Sequence, residues 1–221
     1  MTDSFALPPV VELLAQAIGA ASGAMLGLRK GYDVVGVSAL ALAAGAGGGI
    51  IRDCLLQVGP PVFLTNSTYL LVQLASAVAV IALYPFVRRF AHHLTTWFTL
   101  LDAISLSLFA IVGMVKAQSC GLTWPAVVLM GVITAAGGGV LRDVLSREEP
   151  LMFRPGQFYT GAALSGCLLF ALLCGFLLMD QSSSGMLCAG VILVVRMGSV
   201  RFGWTTSSSA GDRDKLSGEG G

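Results

Sequence analysis

The sequence predicts an all-α membrane protein of seven transmembrane helices, built as two inverted three-helix repeats plus a seventh helix. Three observations carry that prediction. The 221 residues are 55% hydrophobic and only 11% charged, whereas a soluble domain carries roughly 25% charged residues. So little charge cannot cover a surface that faces water on all sides. Seven apolar stretches each approach the ~20 residues that a helix needs to cross the hydrocarbon. One stretch is also written twice: Gly47-Gly48-Gly49-Ile50-Ile51-Arg52-Asp53 returns ninety residues later as Gly137-Gly138-Gly139-Val140-Leu141-Arg142-Asp143.

The apolar stretches run over 10–28, 34–58, 68–87, 97–115, 123–145, 158–179 and 186–202. Pro8-Pro9, Pro60-Pro61, Pro150 and Pro155-Gly156 stand between them, as residues that cannot continue a helix should. The offset of ninety pairs Glu12 with Asp102, Gly23 with Gly113, Gly31 with Gly121, Pro60 with Pro150, Phe63 with Phe153 and Tyr69 with Tyr159. Such self-similarity marks a duplication. It divides the chain into an N-terminal segment (1–9), a first repeat (10–90), a second repeat (97–180), a seventh helix (185–203) and a tail (204–221). Three helices per repeat is an odd number, so the second copy enters the membrane from the opposite face. The pseudo-two-fold axis then lies in the membrane plane.

Orientation follows from the basic residues. Arg29, Lys30, Arg88, Arg89, Arg142, Arg147, Arg154 and Arg201 fall on one side, and only Arg52 and Lys116 on the other. The basic side is the cytoplasmic one. This predicts a multi-pass protein of the cell (inner) membrane with its N-terminus outside and its C-terminus inside. Trp97 and Trp124 stand at helix starts, as interfacial aromatics do. His92 and His93 are expected in a solvated link. The first seven residues lack the basic start of a cleaved signal peptide. The tail, rich in Ser, Gly and charge, is expected to be disordered and in part a cloning remnant.

The same reading excludes several functions. Five cysteines, odd in number and without zinc spacing, read as small apolar residues inside helices. No Ser-His-Asp, Cys-His or HExxH arrangement supports an enzyme, and no metal or cofactor site is expected. No basic run with interleaved aromatics supports nucleic-acid binding.

Each glycine triplet costs about 1 kcal/mol per residue relative to alanine in a helix interior. Two explanations offset that cost. Bends at Gly47, Gly48, Gly49 and at Gly137, Gly138, Gly139 would turn carbonyls towards a polar path, where permeant K+ or Na+ exchanges part of its hydration shell. Alternatively, the glycines let two helix backbones approach closely. The repeat also pairs the charges. Glu12 is expected to meet Arg52 at one mouth of a passage, and Asp102 to meet Arg142 at the other. An unpaired charge in mid-membrane is costly. Arg52 and Asp53 are neighbours whose side chains leave a helix about 100° apart. They are expected not to pair with each other. Lys116 reads as an interfacial anchor or a pathway charge. Arg196 lies well inside the last apolar run and reads as bundle-facing. A gating role for Arg52 or Arg142, moved by voltage, follows from their position.

Two copies of Gly-Gly-Gly-x-x-Arg-Asp, in the second and fifth of seven hydrophobic segments, resemble the prokaryotic branch of the trimeric intracellular cation (TRIC) channel family. The resemblance covers residues 10–202. It implies a homotrimer with one pore in each protomer, permeable to potassium and sodium and lined by the second and fifth helices. It further implies that the triplets are kinks, with Arg52, Asp53, Arg142 and Asp143 filling the rest of the motif. The same family is also labelled as glycine transporters, so a secondary transporter of glycine or another small neutral solute stands as the alternative. Membrane lipids are the other expected partners, with anionic head groups on the basic side.

Overall fold

The computed structural model describes residues 9–89, 94–154 and 158–204. The readings made above of Pro8, His92, His93, Pro155-Gly156 and the tail from residue 205 lie outside these residues. Among the described residues the chain is all helix and turn, in eight helices: α1 (Pro9–Arg29), α2 (Val34–Leu56), α3 (Val62–Thr65), α4 (Ser67–Val87), α5 (Leu94–Ser119), α6 (Trp124–Leu145), α7 (Tyr159–Gly175) and α8 (Gln181–Phe202). Six are long and apolar enough to cross a membrane, and α7, with 17 residues, is shorter. Each of the seven expected stretches holds a helix, although α7 ends at Gly175, four residues short of the expected 179. The short α3 was not foreseen: Pro61 ends the preceding loop, and four residues then complete one helical turn before Asn66 starts α4.

Local chemistry sets the boundaries. The Asp33 carboxylate accepts from the Gly36 N–H at 2.7 Å and starts α2. Asn66 does the same for α4 and Asp180 for α8. Such caps satisfy amide groups that the first helical turn leaves without partners. Gly31 and Gly121 close the turns after α1 and α5 with φ of +76° and +74°. These are left-handed conformations that a side chain would strain, and they recur at the repeat offset.

Antiparallel packing organises the bundle. α1 packs along α2 and α5 along α6; α2 crosses α6, and α1 lies against both α4 and α5, while α7 and α8 cover the second pair. Side-chain contacts fix the direction of each helix. The start of α1 lies beside the ends of α2 and α5, through Glu12–Arg52 and Lys116–Asp53. The end of α1 lies beside the end of α6, through Lys30 and the Ser146 carbonyl at 2.7 Å. α2 and α6 therefore point their C-terminal ends to opposite ends of the bundle.

Neither helix breaks at its glycine triplet: both are continuous from end to end. The triplets stand where α2 and α6 cross. A Cβ on Gly48 would fall 2.3 Å from the Thr134 carbonyl oxygen, and one on Gly138 would fall 2.3 Å from the Ala44 carbonyl oxygen. Those contacts are related by the offset of ninety at both partners. Of the two explanations, close backbone approach is the one this geometry displays.

Candidate functional site

Two buried charge clusters occupy opposite ends of the α1–α2–α5–α6 core. In the first, Arg52 of α2 bonds the Glu12 carboxylate through Nη2 at 2.7 Å and Asp53 Oδ1 through Nε at 2.8 Å. The Arg52 side chain is fully buried and that of Glu12 is 15% exposed. Lys116, in the last turn of α5, approaches Asp53 Oδ1 at 3.6 Å. The other oxygen of Asp53 accepts from the Val62 N–H at 3.2 Å, which ties the cluster to the start of α3.

The second cluster repeats this arrangement. Arg142 of α6 bonds Asp102 Oδ1 through Nη1 at 2.6 Å and Asp143 Oδ1 through Nε at 2.8 Å. Asp143 Oδ2 accepts from the Leu151 N–H at 3.1 Å, one residue away from the repeat mate of Val62. Among the described residues, three contacts have no counterpart in the first cluster. Arg142 Nη1 also donates to Ser22 Oγ at 2.6 Å. Its guanidinium lies 4.8 Å from the Phe98 ring centre. Arg196 of α8 adds a second buried guanidinium, 5.0 Å over the Tyr159 ring. Each cluster thus combines two carboxylates with two cations, the second cation coming from outside the local repeat.

The two expected ion pairs, Glu12–Arg52 and Asp102–Arg142, are both formed. The expectation that Arg52 cannot pair with Asp53 is wrong, and Arg142 bonds Asp143 in the same way. The helix geometry separates the Cβ directions, but three methylenes carry the arginine Nε back around the helix surface to the neighbouring carboxylate. Lys116 is more than an interfacial anchor, since it reaches Asp53. Ser22, Phe98 and Tyr159 were missed as partners of the arginines. Only Tyr159 left a signal in the sequence, as the repeat mate of Tyr69.

Space around these groups is small. A void of about 10 Å³ lies between Asp102, Ser105, Gly138 and Arg142, enough for about one water molecule. Asp102 Oδ2, Arg142 Nη2 and Arg52 Nη1 are buried and make no hydrogen bond to the described residues. Beyond Phe98 a wider cavity of about 280 Å³ opens among Arg29, Lys30, Asp143, Glu148 and Arg154. Lys30 and Arg154 both bond Glu148, at 2.7 and 2.8 Å. These two partners hold the Glu148 carboxyl below its ordinary pKa, Lys30 having the larger effect.

A family model described as a glycine transporter matches residues 9–85 and again 99–174, one match for each half of the repeated contacts. The structure resembles the TRIC trimeric intracellular cation channel orthologue from Rhodobacter sphaeroides with a TM-score of 0.78, at 31% identity over 88% of this chain and 97% of that one. The chain belongs to the TRIC family. A prokaryotic TRIC channel crystallised in 0.5 M KCl superposes with a TM-score of 0.80 at 29% identity, covering 88% of this chain and 95% of that chain. Among relatives of this TRIC-family protein, a UPF0126 membrane protein of Deinococcus radiodurans is 38% identical over 71% of both chains. The inner membrane protein YadS of Escherichia coli is 32% identical over 87% of this chain and 91% of its own length. The chain is an integral, multi-pass membrane protein.

Proposed function

We propose that this chain is a potassium-permeable monovalent cation channel, a homotrimer with a separate pore in each protomer. The observation that carries the reading is the pair of ion-paired clusters at opposite ends of one antiparallel core. Similarity to solved TRIC cation channels supports it. In this reading α2 and α6 line the passage. A rearrangement of their glycine crossing opens it, and permeant K+ or Na+ passes beside Gly47–Gly49 and Gly137–Gly139. Glu12, Asp53, Asp102 and Asp143 attract the cation, while Arg52 and Arg142 close the mouths by holding those carboxylates.

α7 completes a seventh crossing in this reading: 17 residues rise about 25 Å, the lower end of a spanning length. The two three-helix units are then inverted across the membrane, with the N-terminus outside and the Lys30–Glu148–Arg154 end cytoplasmic. The crossing at Gly48 and Gly138, too close to admit even a Cβ on either residue, corresponds in this reading to the shut form, because a hydrated ion cannot pass between backbones so close.

A second reading, a secondary transporter of glycine or another small neutral solute, is favoured by the family model's description. Flux through the purified protein in liposomes decides between them. A potassium-driven current that reverses at the potassium equilibrium potential, and that falls in Asp102→Asn, supports the channel. Saturable glycine uptake without current supports the transporter.

A further inference from the structure

Between the two clusters, α1 carries a polar line that its repeat mate lacks. Glu12, Gln16, Gly19 and Ser22 follow at steps of four, three and three, so they share one helix face. At the offset of ninety stand Asp102, Leu106, Phe109 and Val112. The duplication keeps a carboxylate at each mouth but sets apolar bulk behind only one of them.

The polar line leads to a buried pair of amides. Gln16 is 2% exposed and Gln73 of α4 is fully buried. Gln73 Nε2 donates to Gln16 Oε1 at 2.5 Å, while Gln73 Oε1 is buried and makes no hydrogen bond to the described residues. That oxygen lies 3.0 Å from the point where a Cβ on Gly45 would stand, and the main-chain oxygen of Gln16 lies 2.8 Å from the same point. Two carbonyl oxygens converge on a part of α2 left bare by glycine. The repeat mates of Gln73 and Gly45 are Ala163 and Ala135, so the second copy has methyl groups where the first has oxygens. Three residues further along α1, Gly19 admits Ser105 Oγ to 3.0 Å from its own absent Cβ. Gly19 and Ser22 then line the void beside Asp102.

A buried carbonyl oxygen without a donor is costly, and the second repeat does without one. We propose that Gln16 and Gln73 form a coordination station for a monovalent cation on the α1 side of the passage. Gln73 Oε1 and the Gln16 main-chain oxygen replace part of the ion's hydration shell, and neutral amide oxygens suit a single charge. The matching positions on α5 are the apolar Leu106 and Phe109, which offer an ion no oxygen. This assignment rests on the channel reading above.

The test is the full-length variant Q16L/Q73A, which copies the residues that the second repeat already accommodates. Potassium flux into liposomes is expected to fall about tenfold, or ~1.4 kcal/mol, and the potassium-to-sodium reversal potential to shift. Unchanged flux and reversal potential in a conducting protein, with only a lower thermal midpoint, would overturn the station and leave Gln16–Gln73 as a clasp between α1 and α4. Failure of the wild-type protein to pass any cation would overturn the channel reading instead. The station is then judged by the rise in thermal midpoint in KCl over choline chloride. Loss of that rise in the variant supports the station, whereas an equal rise in both proteins, or none in the wild type, overturns it. Gln73→Met, unbranched and close in size, replaces the double variant if the latter does not fold, with the same outcomes.

Discussion

Replacing Gly48 with alanine should destabilise the protein, whereas the same change at the next residue, Gly49, should stabilise it. Both variants gain the same helix propensity, about 1 kcal/mol, so the difference between them isolates the packing at the crossing. A Cβ at Gly48 meets the Thr134 carbonyl oxygen at 2.3 Å, and 3.0 Å is the closest approach that side chains ordinarily make. α2 and α6 must therefore part by at least the difference, 0.7 Å. The obstacle is the backbone of a packed helix and cannot turn aside like the tip of a side chain. Overpacking of this kind costs about 1–3 kcal/mol, which is the expected gap between the two variants. At Gly49 the nearest atom is Arg52 Nη2 at 3.8 Å, an ordinary contact. Thermal midpoints of the purified proteins in one detergent measure the gap, and several degrees should separate them. Gly138→Ala should behave as Gly48→Ala, since its Cβ meets the Ala44 carbonyl at the same distance. A Gly48→Ala midpoint at or above that of Gly49→Ala would refute the crossing as the reason for the triplets.

Three further outcomes follow from the clusters. Asp102→Asn should cost more stability than Glu12→Gln, because the Asp102 side chain is 4% exposed and that of Glu12 15%; breaking a buried pair costs about 3–5 kcal/mol, and denaturation midpoints compare the two. Gly139→Ala should be harmful in the wild type, where its Cβ would lie 2.9 Å from the Tyr159 hydroxyl, and harmless in a Tyr159→Phe background, a coupling that a double-mutant cycle reads directly. Glu148, lowered by Lys30 and Arg154, contributes stability that is fully present above the ordinary glutamate pKa of about 4.3 and is lost as pH falls through its lower folded value. Since this group is near the surface the effect stays below ~1 kcal/mol, and Glu148→Gln should flatten that part of a midpoint-against-pH curve.

Much of this arrangement is legible in the sequence because the duplication does the alignment. Glu12 and Arg52 are forty residues apart, Asp102 and Arg142 likewise, and a carboxylate and a guanidinium recurring together in apolar helices have few other partners. The bond from Arg52 to Asp53 is illegible for a different reason. Helix periodicity fixes where a side chain starts, and a long flexible stem decides where it ends. The contacts of Lys116 and Arg196 do not follow the repeat. One comes from the other half and one from a helix with no mate, so no internal comparison reveals what they face. For the glycines the sequence reports only that side chains are absent; what occupies the vacated space requires the neighbouring backbone.

The reciprocal contacts at Gly48 and Gly138 place each half of the chain against the image of itself. Two unlinked copies of one three-helix unit could make the same contacts only by inserting in opposite senses and meeting as an antiparallel dimer. In such a dimer any substitution appears twice, so a polar residue gained on one α1 would also be gained on the other. Covalent linkage removes that restriction. It lets Gln16 and Gln73 persist in one half while Leu106 and Ala163 occupy the other, so the two halves of the core can specialise independently.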